Sequence, residues 1–190
     1  MTDNILRING YSEEVINRII AFIKEEKVII MPCDTIYGFV AVRACEERVR
    51  QIKHRDTKPF LYLISDMAQL CHFDIDETLY HDVLQKNWPG NITFIMSNRS
   101  GTQTFGVRMP NHDVLRQIIR RVGEPLLSSS VNVSGQPALN DPNEITAQFC
   151  NSADLIVVYE SYRPAAASTI VNLAVSPYQI IRQGDKHFEI

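Results

Sequence analysis

No stretch of the 190 residues is long and apolar enough to span a bilayer, and Met1-Thr-Asp-Asn-Ile-Leu-Arg7 lacks the basic-then-apolar order of a secretory signal. A cytoplasmic protein without a membrane partner is the expectation. Cys33, Cys45, Cys71 and Cys150 include no Cys-x-x-Cys pair, which excludes a disulfide framework or zinc knuckle and predicts reduced thiols. Asn-x-Ser/Thr triplets at Asn91, Asn98 and Asn132 therefore carry no meaning as glycosylation sites. No His-Glu-x-x-His occurs, and the five histidines share no ligand spacing, so no protein-built metal site is predicted. Nor is there a Gly-x-Gly-x-x-Gly. Gly101 and Gly106 have P-loop spacing, but Val107-Arg108 stands where Lys-Ser/Thr would cradle phosphates. Excess positive charge is absent too: Lys+Arg 19 against Asp+Glu 22 leaves −3 at pH 7, so any polyanion site must be a local patch.

What is present suits a globular α/β domain. With 45% hydrophobic and 22% charged positions, the chain can bury a proper core, and residues 1–190 read as one domain. Ser12-Glu-Glu14 before Val15, Ile16, Ile19, Ile20 and Ile23 predicts a capped amphipathic helix. The Val28-Ile-Ile-Met31 strand follows, stopped by Pro32, and the turn Cys33-Asp34-Thr35 leads to Tyr37-Gly38. Further helices are predicted at Arg48–Lys53, Glu77–Asn87 (with Leu79, Val83 and Leu84 inward) and around Val114–Ile119. Strands are predicted at 60–64, 92–96, 104–108, 125–127, 155–158, 169–171 and 179–181. About seven strands interleaved with helices, without repeats or linkers, predict a twisted sheet flanked by helices; its strand order is not readable.

Six cations, Arg43, Arg48, Arg50, Lys53, Arg55 and Lys58, face three acidic residues between positions 43 and 58. Pro59 disfavours helix at Lys58, so the helix is expected to end near Lys53 and the next five residues to form an exposed loop. The charged ends of Lys53 and Arg55 are then expected to face solvent. Two readings stay open for the cluster: a solvated helix end or an anion site. Ser128-Ser-Ser-Val-Asn-Val-Ser-Gly135 is dense in hydroxyls and amides, and Arg108 ends a strand-like run before Pro110. Polar groups at strand ends are where open α/β sheets bind ligands.

The ordered motifs Pro32-Cys-Asp-Thr-Ile-Tyr-Gly38, Lys53-His-Arg55 with Lys58-Pro59, Trp88-Pro-Gly-Asn-Ile-Thr93, Gly106-Val-Arg-Met-Pro110, Ser130-Val-Asn132, Ser168-Thr-Ile-Val171 and Ile181-Arg-Gln-Gly184 resemble those of the YrdC/YciO family. The resemblance implies a single-domain twisted mixed sheet with a concave basic face, and the activity of threonylcarbamoyl-AMP synthesis. That reaction makes threonylcarbamoyl-adenylate and pyrophosphate from L-threonine, bicarbonate or CO2, and ATP, the latter bringing Mg²⁺ on its phosphates. It serves N6-threonylcarbamoyladenosine formation in tRNA through a downstream threonylcarbamoyl-transferase complex. By similarity, Lys53 and Arg55 are catalytic, holding the ATP phosphates and the carbamate with Lys58 beside them. Thr104, Ser130, Asn132 and Arg182 contact the nucleotide. Thr35 and Arg108 engage threonine, with Ser168 between the two substrates.

Some positions depart from the family pattern: Cys33 stands for Thr, Asn91 for Pro, Ser129 for Thr or Pro and Asn172 for Asp, and the glycines usual before the Ser168 strand are missing. Pro89-Gly-Asn-Ile-Thr-Phe-Ile95, Gly123-Glu-Pro-Leu-Leu-Ser128 and Arg182-Gln-Gly-Asp185 lean towards the YciO branch. The chain is also expected to lack the C-terminal domain of longer synthases. The alternatives are a YciO-type paralogue, an RNA-binding module taking double-stranded RNA or tRNA on the same basic face, and, less favoured, a carbamoyl-adenylate-forming relative.

Overall fold

The computed structural model describes residues 4–55 and 57–189. In chain order the elements are β1 (Ile5–Ile8), α1 (Glu13–Lys24), β2 (Ile29–Pro32), β3 (Tyr37–Val42), α2 (Glu46–Lys53), β4 (Leu61–Leu63), α3 (His81–Asn87), β5 (Ile92–Ser97), β6 (Thr104–Arg108) and α4 (Asp113–Val122). Then follow β7 (Leu126–Ser130), α5 (Pro142–Phe149), β8 (Leu155–Tyr159), β9 (Thr169–Asn172) and β10 (Gln179–Arg182). The fold class is α/β, with mixed strand pairing and flanking helices. Among the described residues no helix is long and apolar enough to cross a membrane.

The chain divides into two compact units. The first comprises residues up to Lys58 with Leu126–Ala165. Its strands run in the order β1-β8-β2-β3-β7: β8 is parallel to β1 and β2, while β3 is antiparallel to β2 and β7. Every residue of β2 and β3 is buried, so neither shows the two-residue alternation of a half-exposed strand. Ser12 caps α1 by accepting from the Val15 amide, and Ile16, Ile19, Ile20 and Ile23 form its buried stripe. Gly38 permits close packing, since a Cβ there would meet Cys33 Sγ and Ser128 Oγ, each at 3.2 Å. Helix α5, absent from the sequence reading, starts on Asp141, which accepts from the Asn143 and Glu144 amides, with Pro142 in the first turn.

The second unit comprises Pro59–Pro125 and the residues from Ala166. Its strands run in the order β4-β6-β5-β9-β10: β4 is parallel to β6 and β5 to β9, with antiparallel β6–β5 and β9–β10 pairs. The helix expected over Glu77–Asn87 is broken into a short 3₁₀ turn, Glu77–Leu79, and α3. Asp76 caps the short turn by accepting from the Thr78 amide, and Leu79 is 69% exposed instead of inward. Leu115, Ile118 and Ile119 form the buried stripe of α4, which ends on Gly123 at φ +99.

Candidate functional site

In the first unit, α2 ends at Lys53, and His54 in the left-handed region turns the chain away. Contrary to the expectation of a solvent-facing ammonium, Lys53 is 1% exposed. Its Nζ donates to the Ser130 carbonyl, and at 2.9 Å to both the carbonyl and Oδ1 of Asn132. The Phe39 ring centroid lies 5.1 Å from the same nitrogen. Removal from water, and secondarily the charge of Arg55, push the Lys53 ammonium down to about 7. The Lys-x-Arg and Ser-x-Asn elements, 77 residues apart between Lys53 and Ser130, are thus joined. They meet because β7 pairs with β3, placing Ser130 opposite Gly38 and Ser129 opposite Phe39.

The hydroxyl of Ser130 donates to Asn132 Oδ1 at 2.7 Å, and Asn132 Nδ2 donates to the Gln136 carbonyl at 2.6 Å. Arg55 is half-buried, and its Nε donates to the Lys58 carbonyl at 3.2 Å, which also accepts from Arg50 Nη1 at 3.0 Å. Burial and then Arg50 press the Arg55 guanidinium below its ordinary value. Arg50, Arg55, His54, Glu47, Gln51 and Thr57 line an open depression, while the Lys58 residue is exposed. Of the exposed loop expected over residues 54–58, His54, Thr57 and Lys58 are exposed, Arg55 is half-buried rather than solvent-facing, and Asp56 lies outside the described residues.

Thr35 of the same unit is buried, and its carbonyl accepts from the Ala165 amide at 2.6 Å. Next to it, the Tyr37 hydroxyl accepts from the Tyr159 amide, and its ring meets that of Tyr162 edge-on at 5.1 Å. Asn140 Oδ1 accepts from the Tyr37 amide. Asn140, Tyr162 and Ala165 are supporting residues that the sequence reading missed, because none lies in a motif adjacent to those it holds.

In the second unit, Arg108 ends β6 and is 2% exposed. One step beyond the Phe94–Val107 pair, it stands at the register position of Thr93. Thr93 and Ser168, both buried, share a hydroxyl–hydroxyl hydrogen bond of 2.8 Å. Arg182 donates to the Ser168 carbonyl from Nε at 3.0 Å and Nη2 at 2.7 Å. Desolvation and then Arg108 lower the Arg182 guanidinium from its ordinary value, so two like charges share this end of the strands. Thr104, by contrast, begins β6 and is exposed, about 13 Å of strand from Arg108. The structure therefore gathers Arg108, Ser168 and Arg182, adds Thr93, and leaves Thr104 at the far end.

All four cysteines are unbridged. Among the described residues no three His, Cys, Asp or Glu side chains cluster as metal ligands. The cations at these two places are Arg50 and Arg55 in the first unit and Arg108 and Arg182 in the second, groups suited to oxyanions.

Comparison with known proteins follows the same lines. Escherichia coli YciO is 24% identical over 90% of each chain, and its crystal structure superposes with a TM-score of 0.80. Klebsiella pneumoniae threonylcarbamoyl-AMP synthase is 27% identical over 78% of this chain and 86% of that protein. The structure of Pyrococcus abyssi Sua5 complexed with L-threonine shares the fold with a TM-score of 0.83 at 24% identity; the match covers 95% of this chain and 57% of that one. Residues 21–184 match the family model Sua5_yciO_yrdC, described as "Telomere recombination", and the chain belongs to that family.

Proposed function

We propose that this chain is a threonylcarbamoyl-AMP synthase. The threonine amine adds to CO2, giving a carbamate and a proton. A carbamate oxygen then attacks the α-phosphorus of ATP, and pyrophosphate leaves with the electrons of the broken P–O bond. No nucleophilic side chain is required. The reaction needs two mutually repelling anions brought together and growing phosphate charge stabilised, which is work for fixed cations and donors. The observation that carries the reading is the joining of the Lys-x-Arg and Ser-x-Asn elements at Lys53, Ser130 and Asn132, in a chain of a family whose members include threonylcarbamoyl-AMP synthases.

In this reading Arg55 and Lys58 face the phosphates, and Ser130 and Asn132 shape the nucleotide pocket. Arg108 takes the threonine carboxylate through two parallel donors, with Ser168 and Thr35 near that substrate and Arg182 on the nucleotide. Mg²⁺ arrives on the phosphates of ATP and neutralises part of their charge. The adenylate passes to a transferase complex that modifies tRNA.

A second reading, a YciO-type paralogue, is favoured by the match to YciO over 90% of both chains. Pyrophosphate release from ATP, followed with and without threonine and bicarbonate, separates the two. Release that requires both is the expected result for a synthase. Release indifferent to threonine from a folded protein overturns that reading.

A further inference from the structure

Asn87 closes α3 and is 1% exposed, with its side-chain amide engaged at both ends. Nδ2 donates to the Val83 carbonyl at 2.7 Å and to the Glu189 carbonyl at 2.8 Å, while Oδ1 accepts from the Glu189 amide at 3.3 Å. The side chain thus pairs with both main-chain groups of a residue 102 positions away, as a neighbouring strand would. Only a carboxamide in this orientation serves: turned over, Oδ1 would face two carbonyls and Nδ2 an N–H. The Asn87 carbonyl also accepts from Lys186 Nζ at 3.5 Å.

Residues 183–189 form neither helix nor strand, yet they are bonded to residues 166–169. The Gly184 amide donates to Thr169 Oγ1 at 2.9 Å, that hydroxyl donates to the Lys186 carbonyl at 2.6 Å, and Asp185 Oδ2 accepts from the Ala166 amide at 3.3 Å. Thr169 is fully buried. Phe188 adds an edge-on ring contact to Phe94 at 5.9 Å. At the head of the segment Arg182 holds the Ser168 carbonyl through Nε and Nη2, and Nη2 also reaches Ser168 Oγ at 3.3 Å. Residues 183–189 are therefore a strap over the backbone beside Ser168, with Arg182 at one end and the Asn87 latch at the other.

We infer that Asn87 is a positioning residue, which latches the 183–189 strap to the end of α3 and so holds Arg182 and Ser168 in the geometry that receives the substrates. What those two residues receive follows from the synthase reading, whereas the latch does not depend on it. Asn87 acts through the strap rather than on a substrate. With the latch open, the competent arrangement is only a fraction of the population, so apparent affinity falls by that fraction while saturating ligand restores the arrangement.

The test uses the full chain as wild type, Asn87→Ala, Thr169→Val and Thr169→Ser. Hydrogen exchange without ligand reads the strap at an amide remote from each change. Asn87→Ala is expected to speed exchange at Gly184 about tenfold; Thr169→Val, which cuts the strap in its middle, is expected to do the same at Glu189, with Thr169→Ser at the wild-type rate. In pyrophosphate release, Asn87→Ala is expected to raise the ATP KM about fivefold with kcat within about twofold of wild type. A merely weakened fold would lower kcat and leave KM in place. Unchanged Gly184 exchange in Asn87→Ala, or a lower kcat at the wild-type KM, overturns the inference. Should Asn87→Ala not fold, equal Glu189 exchange in Thr169→Val and Thr169→Ser is equally fatal. If wild type releases no threonine-dependent pyrophosphate while Asn87→Ala still loosens Gly184, the latch stands and the synthase reading falls.

Discussion

Raising the pH should stabilise this protein through Lys53. In the unfolded chain that lysine keeps its proton up to its ordinary 10.5, whereas in the fold it is lowered to about 7 by burial and by Arg55. Between those values the unfolded state binds the extra proton, so stability increases with pH, by about 1.4 kcal/mol per pH unit at full difference. Integrated from about pH 7.5 to 9.5 with both titrations included, the gain is on the order of 2–3 kcal/mol. That is a large share of the 5–15 kcal/mol, roughly, that holds a domain together. Burial raises Tyr11 and Tyr37, which keep their protons longer in the fold and act in the opposite direction towards pH 10; comparison with Lys53→Met cancels them, together with the buried thiols of Cys33 and Cys45. The assay is urea unfolding at several pH values, followed by the fluorescence of Trp88, the single and buried tryptophan. Lys53→Met supplies the reference, because it keeps every other titrating group. A wild-type stability that climbs no more steeply than that of Lys53→Met would refute the reasoning.

Three other outcomes follow from the second unit. Arg108→Lys keeps the charge but loses the paired donors, and is expected to raise the threonine KM about tenfold in the pyrophosphate-release assay, with little recovery over Arg108→Ala. Thr93→Val removes the shorter of the two hydrogen bonds on the buried Ser168 hydroxyl, which keeps Arg182 Nη2 at 3.3 Å, and should cost about 1 kcal/mol in urea unfolding, while Thr93→Ser stays within about 0.5 kcal/mol of wild type. A Cβ at Gly184 would overlap the Ala167 carbonyl and lie 2.7 Å from the Thr169 amide, both backbone; Gly184→Ala should therefore lower stability by about 2 kcal/mol or more.

Local features were legible where the physics is local. Ser12 and the isoleucine spacing announce α1, and Pro59 foretells the end of α2 near Lys53, where the structure adds a left-handed His54. Helix α5 carried a readable signal in Asp141-Pro142 that the strand-and-loop reading passed over. Strand β3, like β2, is buried on both faces and shows no alternation, and the 77–87 segment is interrupted between Leu79 and His81, where apolar periodicity carries no signal. Of the candidate site, the motif residues were visible, whereas Thr93, Asn140, Tyr162 and Ala165 act through partners distant in sequence.

By itself, the sequence determined the α/β class, the unbridged cysteines, the cationic segment from 43 to 58 and the family, since each depends on residue type and short spacing. Only the tertiary structure decided where those cations lie. Whether a lysine at a helix end lies in water or inside a shell of carbonyls depends on which chain segment packs beside it. Here the β3–β7 pairing brings up residues 77 and 79 positions away, and Lys53 is buried with its ammonium bonded to their carbonyls. The same kind of long-range registry sets Arg108, Thr93, Ser168 and Arg182 together and holds Thr104 apart, although all five belong to motif-bearing segments.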